Sequence, residues 1–327
     1  MTVAILYAAT DDGSTLPVID VTHPAFAVTI SEAELATMSH DFVLESAQRQ
    51  DVPAAVRDAL QRSILGRAFM ASSGGFLSGM HTYLLKVGPD NLGPDATPID
   101  RRIAASFPAL TTRLRLQDVA RLLADSLRRT LAAHPGRTLC LINIAGGPAA
   151  DSWNAVIHLQ AEHPDLLVGR EVAVAVLDLD DHGPAFGGRA IAALRAFGAP
   201  LAGLDISFRH ITYDWSEADT LGQMLADVHA ADSVCAISSE GGLFEYGPDA
   251  AIIANLEQLH AGTGPDAIVV GSVTRDGEPS RSAQATNRFA TRPRTIEALR
   301  CLTEAARWRL DCVLERPFSY NVRLAKS

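Results

Sequence analysis

Residues 141–151 read LINIAGGPAAD, an apolar run that passes into nearly side-chain-free residues and then into a helix start. Ala145, Gly146, Gly147 and Ala149, with Pro148 between the last two, leave the backbone bare. A ligand can therefore approach the chain closely and meet the free N–H groups of the helix N-terminus. A turn of this kind also serves as a plain tight connection, so the flanking segments have to decide between the two readings.

Downstream, short apolar runs at 138–144, 172–178, 205–211, 233–238 and 266–273 alternate with longer segments of helical period. Near-continuous apolar runs suit strands covered on both faces, so the spacing predicts a mostly parallel sheet between layers of helices. Ser216 and Asp219 have the pattern of a capping box ahead of Leu221, Met224, Leu225 and Val228. Pro248 opens a further helix with Ile252, Ile253, Leu256 and Leu259 on one face, and Gly262 stands where a left-handed residue would end it. A last helix covers about 294–306. The runs WRLDCVLE (308–315) and FSYNVRLA (318–325) are separated only by Arg316 and Pro317. That gap is too short for a helical crossover, so the two strands must form an antiparallel hairpin at the sheet edge.

In an open sheet of this kind ligands gather at the C-terminal ends of the strands. The second strand ends in VLDLDD, placing Asp178, with Leu179 beside it, where a carboxylate can accept both hydroxyls of a ribose. The third ends in HITYDW, where the Asp214 carboxylate can take an amino proton of adenine and the Trp215 indole can cover its face. Asp214 can equally cap the helix that follows. The fourth ends in SSEGGLFEYG, bringing Ser238, Ser239 and Glu240 to the same edge.

The first 115 residues have another character. Extended stretches (LPVIDV, FAVTI) lead to a helix near Ser31, with Glu34 completing a capping box, and to an amphipathic segment after Pro53 carrying Val56, Leu60, Ile64 and Phe69. The stretch from Ser72 to Pro98 is too rich in Gly and Pro for one regular element and reads as a lid. A helix over 117–133, with Val119, Leu122, Leu123, Leu127 and Leu131 on one face, then delivers the chain into the first sheet strand.

The 327 residues suggest about two domains. With 47% hydrophobic and 20% charged residues the chain is an ordinary globular protein, which excludes long disorder, collagen-like repeats and coiled coil. A net charge of −10 opposes attraction to nucleic acid or to an anionic membrane surface, and neither is expected as a partner. Cys140, Cys235, Cys301 and Cys312 lie far apart and outside zinc spacings, so no metal site is expected. The N-terminal MTVAILYAATDDGST has no positive residue before its short apolar stretch, so no secretory signal and a cytoplasmic location are expected.

In sum of motifs and order, a Gly-rich turn, an acid, an Asp-aromatic pair, a polar turn and a terminal hairpin, residues 116–327 resemble the class I S-adenosylmethionine-dependent methyltransferases. The resemblance implies a Rossmann-like α/β sheet, mostly parallel with a C-terminal antiparallel hairpin. It also implies an S-adenosylmethionine-binding domain over 116–327, behind a mainly helical N-terminal cap over 1–115. At the positions of the family's first motif, acid-x-Gly-x-Gly-x-Gly, this sequence has Asn143, Ala145, Gly147 and Ala149. Asp178 then matches the ribose carboxylate, Asp214 and Trp215 the adenine site, and Ser238 to Glu240 the motif facing the methyl group. There are three departures, of which one is that Ala145 and Ala149 narrow the turn slightly. Asn143 removes the acid that helps to fix the methionine amino group, and the 31 residues from Gly147 to Asp178 imply an extended first helix or an inserted loop around AEHPDLLVG.

The function implied is methyl transfer to a small-molecule acceptor by in-line displacement. Candidate bases or acceptor anchors are Glu240, Glu245, Tyr246 and His81. Phe76, Tyr83, Phe244 and Tyr246 could line an apolar pocket between cap and sheet, or be ordinary core. The segment 292–302 and the pair Arg113/Arg115 read as a solvated helix face and loop, although one arginine could reach the donor's carboxylate. The alternatives are a non-catalytic homologue that binds a ligand or dimerises through its N-terminal helices, and an NAD(P)-dependent oxidoreductase. The late acid, the terminal hairpin and the lack of a Tyr-x-x-x-Lys pair oppose the second.

Overall fold

Five apolar runs pair side by side to make the floor of the molecule. The structure is a computed structural model describing residues 4–48, 54–72, 75–230, 232–287 and 289–327. An N-terminal hairpin, β1 (Tyr7–Ala9) and β2 (Thr15–Pro17), precedes helices α1 (Glu32–Ala47), α2 (Ala54–Arg62), α3 (Ile64–Ala71), α4 (Gly79–Val87), α5 (Pro98–Ala104) and α6 (Phe107–Ala133). There follow β3 (Leu139–Ile144), α7 (Ala150–Glu162), β4 (Glu171–Asp178), α8 (His182–Leu194), β5 (Asp205–Thr212) and α9 (Leu221–Asp227). The chain continues through β6 (Val234–Ser239), α10 (Leu243–Tyr246), α11 (Asp249–Gly262), β7 (Ile268–Thr274), α12 (Glu278–Asn287), α13 (Ile296–Ala305), β8 (Trp308–Glu315) and β9 (Ser319–Lys326).

The large sheet has the order β5-β4-β3-β6-β7-β9-β8. Its first five strands are parallel, and β9 runs antiparallel to both β7 and β8. This is the mostly parallel α/β sheet with a C-terminal antiparallel hairpin that the sequence predicts, and each predicted strand lies within two residues of its observed bounds. Both faces of the central strands are covered because alternate side chains enter two cores. Leu139, Leu141, Val172 and Val174 pack with α6, α7, α8 and residues 18–26. Cys140, Ile142, Cys235 and Ile237 pack with α9, α11 and α13. The edge strand β8 alternates in burial, as one solvated face requires.

Several local expectations need correction. The segment after Pro53 is two helices, because Ser63 breaks the run and caps α3, accepting from Gly66 N; Val56 and Ile64 are exposed. The helix ahead of β3 starts ten residues earlier than expected, since Pro108 sits in its first turn, where a missing N–H costs nothing. It runs unbroken across residues 115 and 116. Ser216 caps no helix; its N and Oγ both donate to Asp214 Oδ1, and α9 begins at Leu221. Gly262 stays helical and lets α11 approach Leu225, where a Cβ would come within 2.6 Å of Cδ1. The capping box of Ser31 and Glu34 forms as expected.

Candidate functional site

The topological switch lies between β3 and β6, whose neighbours run off in opposite directions, and there the Gly-rich turn leaves the sheet. Ala145 (φ 54°), Gly147 (φ 58°) and Ala149 (φ 61°) are all left-handed, a conformation that glycine adopts without cost and that the two alanines hold against their Cβ. The turn is also pinned: Ala145 N donates to Leu177 O at 2.7 Å, and Gly147 N donates to Asp178 Oδ2 at 3.0 Å. A Cβ on Gly147 would come 2.8 Å from Gly79 Cα at the start of α4, and one on Gly183 would come 2.8 Å from Gly147 Cα. Three glycine backbones thus meet where the N-terminal region rests on the turn.

Beside this contact opens a cavity of about 1690 Å³. Its sheet-side wall includes Ala145, Gly146, Asp178, Leu179, Asp214 and Trp215, so the ends of three successive strands converge on one space. Glu240 and Tyr246 join them from the end of β6 and from α10. The opposite wall comes from the N-terminal region, with Phe42, Phe69 and Phe107 of its helices and Phe76 of the segment before α4 among its side chains. Phe76 bridges the two walls, edge-on to Trp215 at 6.0 Å and to Tyr246 at 4.8 Å between ring centroids. Of the four aromatics weighed as pocket lining, Phe76 and Tyr246 line it. Tyr83 and Phe244 are core, each 1% exposed.

Asp178 accepts from Gly147 N at one oxygen and from Asp180 N at the other, both at 3.0 Å. Burial pushes its carboxyl up from the ordinary aspartate value, against the pull of these two amides. Asp214 also holds its own loop, through the two bonds from Ser216.

Asn143, Ser238 and Ser239 do not line the cavity; all three are buried beneath it. Asn143 Nδ2 donates to Asp151 Oδ1 at 2.7 Å and to Ser238 Oγ at 3.1 Å. A Cβ on Gly146 would lie 2.0 Å from Asn143 Oδ1, so this amide is the floor of the turn. Ser239 Oγ accepts from Leu243 N. Gly147 and Pro148 are likewise set back, the glycine under α4 and the proline against Gly187 of α8. His81 also lies off the cavity, its Nδ1 2.8 Å from Ser78 Oγ, and burial holds its imidazole below the ordinary value.

In the most charged part of the site Glu240, Glu245 and Arg115 are candidates from the sequence, whereas Lys86 carries no signal there. Arg115 is half-buried: its Nε donates to Glu240 Oε1 at 2.7 Å and its Nη1 reaches both oxygens of Glu245 at 3.3 Å. Lys86, at the end of α4, pairs with Glu240 Oε2. Arg294, placed on a solvated face by the sequence, is buried and braces the loop over Phe244 to Asp249 through Phe244 O, Gly247 O and Asp249. No periodicity flags such residues, because their partners are distant in sequence. Asp151 stood within the quoted motif. Burial, and then the charge of Glu240, push its carboxyl up to about 6. Among the described residues no group of three or more metal-ligating side chains occurs, and no helix is long and apolar enough to cross a membrane.

No family model and no curated protein matches the sequence. Among solved structures, a protein of Bordetella parapertussis described as a possible exported protein aligns over 91% of this chain and 98% of its own, at 19% identity and a TM-score of 0.57. Mitomycin 7-O-methyltransferase aligns over 91% of this chain and 74% of its own, at 14% identity and a TM-score of 0.42. The calicheamicin-biosynthesis methyltransferase CalO1, in a form with bound S-adenosylhomocysteine, covers 98% and 80% at 15% identity and 0.41. The likeness to the Bordetella protein is one of fold.

Proposed function

We propose that the protein transfers the methyl group of S-adenosylmethionine to a small-molecule acceptor. The observation that carries this reading is the single cavity into which the bare turn at Ala145 and Gly146, Asp178, Asp214 with Trp215, and Glu240 all open. The residues present fit the donor's nucleoside half. The Asp178 oxygens keep acceptor capacity after two amide bonds, which suits ribose hydroxyls, and Leu179 and Trp215 offer apolar surface for adenine. Asp178, Asp180 and Asp214 also suit a ligand that carries a positive sulfur.

When bound, the donor supplies an activated sulfonium methyl, and the carbon–sulfur bond breaks as the acceptor's lone pair forms the new bond. The chain's own contribution is position: the turn and Asp178 hold one end, while Phe76, Trp215 and Tyr246 exclude water beside the acceptor. Burial and the neighbouring Glu245 push the Tyr246 hydroxyl up, so it stays protonated and acts as a hydrogen-bonding anchor. Both oxygens of Glu240 are engaged by cations, which suits binding better than proton abstraction. That same engagement favours a second reading, a binding protein without turnover, and transfer of a labelled methyl group separates the two. Cys140 and Cys235 face each other across β3 and β6 as buried thiols.

The first test is calorimetry with S-adenosylmethionine, S-adenosylhomocysteine and NAD(H). Binding of the adenosyl ligands alone is expected, weakened by about 1.5–3 kcal/mol in Asp178→Ala through loss of charge-assisted hydrogen bonds. Binding of NAD(H) alone, or an unchanged affinity in Asp178→Ala, overturns the assignment.

A further inference from the structure

The cavity wall nearest the turn carries a charge tetrad drawn from both regions of the chain. Lys86 and Arg115 come from α4 and α6, whereas Glu240 and Glu245 flank Gly241 and Gly242 at the end of β6. All four line the cavity, and no side chain among them is more than 15% exposed. The backbone is shaped around them. Gly241 (φ 124°) leaves room for the guanidinium, since a Cβ there would stand 2.6 Å from Arg115 Nη2. Gly242 packs on the turn itself, where a Cβ would stand 2.5 Å from that of Ala145. Buried ion pairs stabilise a fold little more than apolar packing does. Three linked pairs at the wall of a ligand cavity therefore call for a functional reason.

We infer that Lys86, Arg115 and Glu240 form the seat for the α-amino-carboxylate end of the bound ligand. The tetrad has two positive and two negative groups, and a ligand zwitterion adds one of each. The ligand ammonium takes Glu240 Oε2 from Lys86, and the freed Lys86, with the outer N–H groups of Arg115, takes the ligand carboxylate. Every charge keeps an opposite partner, so the exchange leaves no buried ion uncompensated. The inference rests on the adenosyl-donor reading and deepens it. Position 143 holds an asparagine whose amide donates downward to Asp151 and Ser238, so the turn itself offers the ammonium no carboxylate. Glu240 stands on the segment packed against Ala145 and supplies one. Because Lys86 and Arg115 belong to the N-terminal helices, those helices become part of ligand selection.

The test compares S-adenosylhomocysteine with 5′-methylthioadenosine, which has the nucleoside and thioether but no amino-acid end. Calorimetry of the wild-type protein should show the former bound at least tenfold more tightly. In Lys86→Met and Glu240→Gln this ratio should fall toward one, with the affinity for 5′-methylthioadenosine unchanged. Equal wild-type affinities, a comparison that needs no variant, overturn the inference and leave the nucleoside site standing. A ratio retained in folded variants overturns it as well. If neither adenosyl ligand binds the wild-type protein, the donor reading and the inference fail together.

Discussion

Asp151 lies under the glycine turn, 1% exposed, with Oδ1 accepting from Asn143 and from Ser152 N. Burial is the larger cause of its raised pKa of about 6, and the charge of Glu240 the next. The folded pKa thus exceeds the unfolded value of 3.8, so the folded state binds the proton more tightly. The resulting stabilisation is complete below 3.8 and is lost as the pH rises through about 6. At pH 7 the ionised group costs on the order of 3 kcal/mol. Asp151→Asn keeps the acceptor and removes the charge. Urea denaturation between pH 5 and 8 should show the wild-type protein losing more stability than the variant, and identical pH profiles would count against this account. The carboxyl was visible in LINIAGGPAAD, but its enclosure was not, since enclosure depends on Ser238 and Glu240, about ninety residues away.

At the level of elements, the contact that positions the site is the start of α4 on the turn. Ser78 Oγ accepts from His81 N and opens the helix at Gly79, whose Cβ would lie 2.7 Å from Gly147 Cα. Neither neighbour is a movable side chain, so Gly79→Ala forces one backbone away from the other. We expect a loss of about 1–3 kcal/mol, the range for overpacking. Gly75→Ala, where the nearest atom to a new Cβ is Ser72 O at 3.8 Å, should stay within about 0.5 kcal/mol. Equal effects at the two positions in thermal melts would remove the close-approach argument. In the sequence the run from Ser72 to Pro98 has the look of an irregular lid, because glycine and proline mask periodicity. Within it Ser78 and His81 do carry a helix cap, and that signal is weaker than the glycines around it.

Across the whole molecule the N-terminal region shares a core with the sheet. Residues 17–21 thread between α4 and α7: the Tyr83 hydroxyl donates to Pro17 O and accepts from Ile19 N. Trp153 Nε1 and Asn154 Nδ2 donate to Ile19 O, and Asn154 Oδ1 accepts from Val21 N. On the other side Arg316 and Asn321 of the terminal hairpin region donate to Asp118 of α6. With buried bonds joining both ends to the middle, unfolding should be cooperative. In variants retaining only Trp153 or only Trp308, fluorescence midpoints in denaturant should coincide. An earlier transition at Trp153 would instead mark the N-terminal region as a separately unfolding unit.

The sheet, its hairpin and the two motif acids Asp178 and Asp214 were legible in the sequence, because strand burial, turn composition and helix period are written in residues close along the chain. Gly146 and Ala145 announced the bare turn for the same reason. The tertiary structure alone decided that Arg115 and Lys86 neutralise Glu240, that Asn143 faces inward, and that Gly79 meets Gly147. Each of these joins positions more than fifty residues apart or turns a side chain away from the face its spacing suggests. Charge pairing and close backbone approach leave no periodic trace, since they depend on which surfaces meet after the elements have formed.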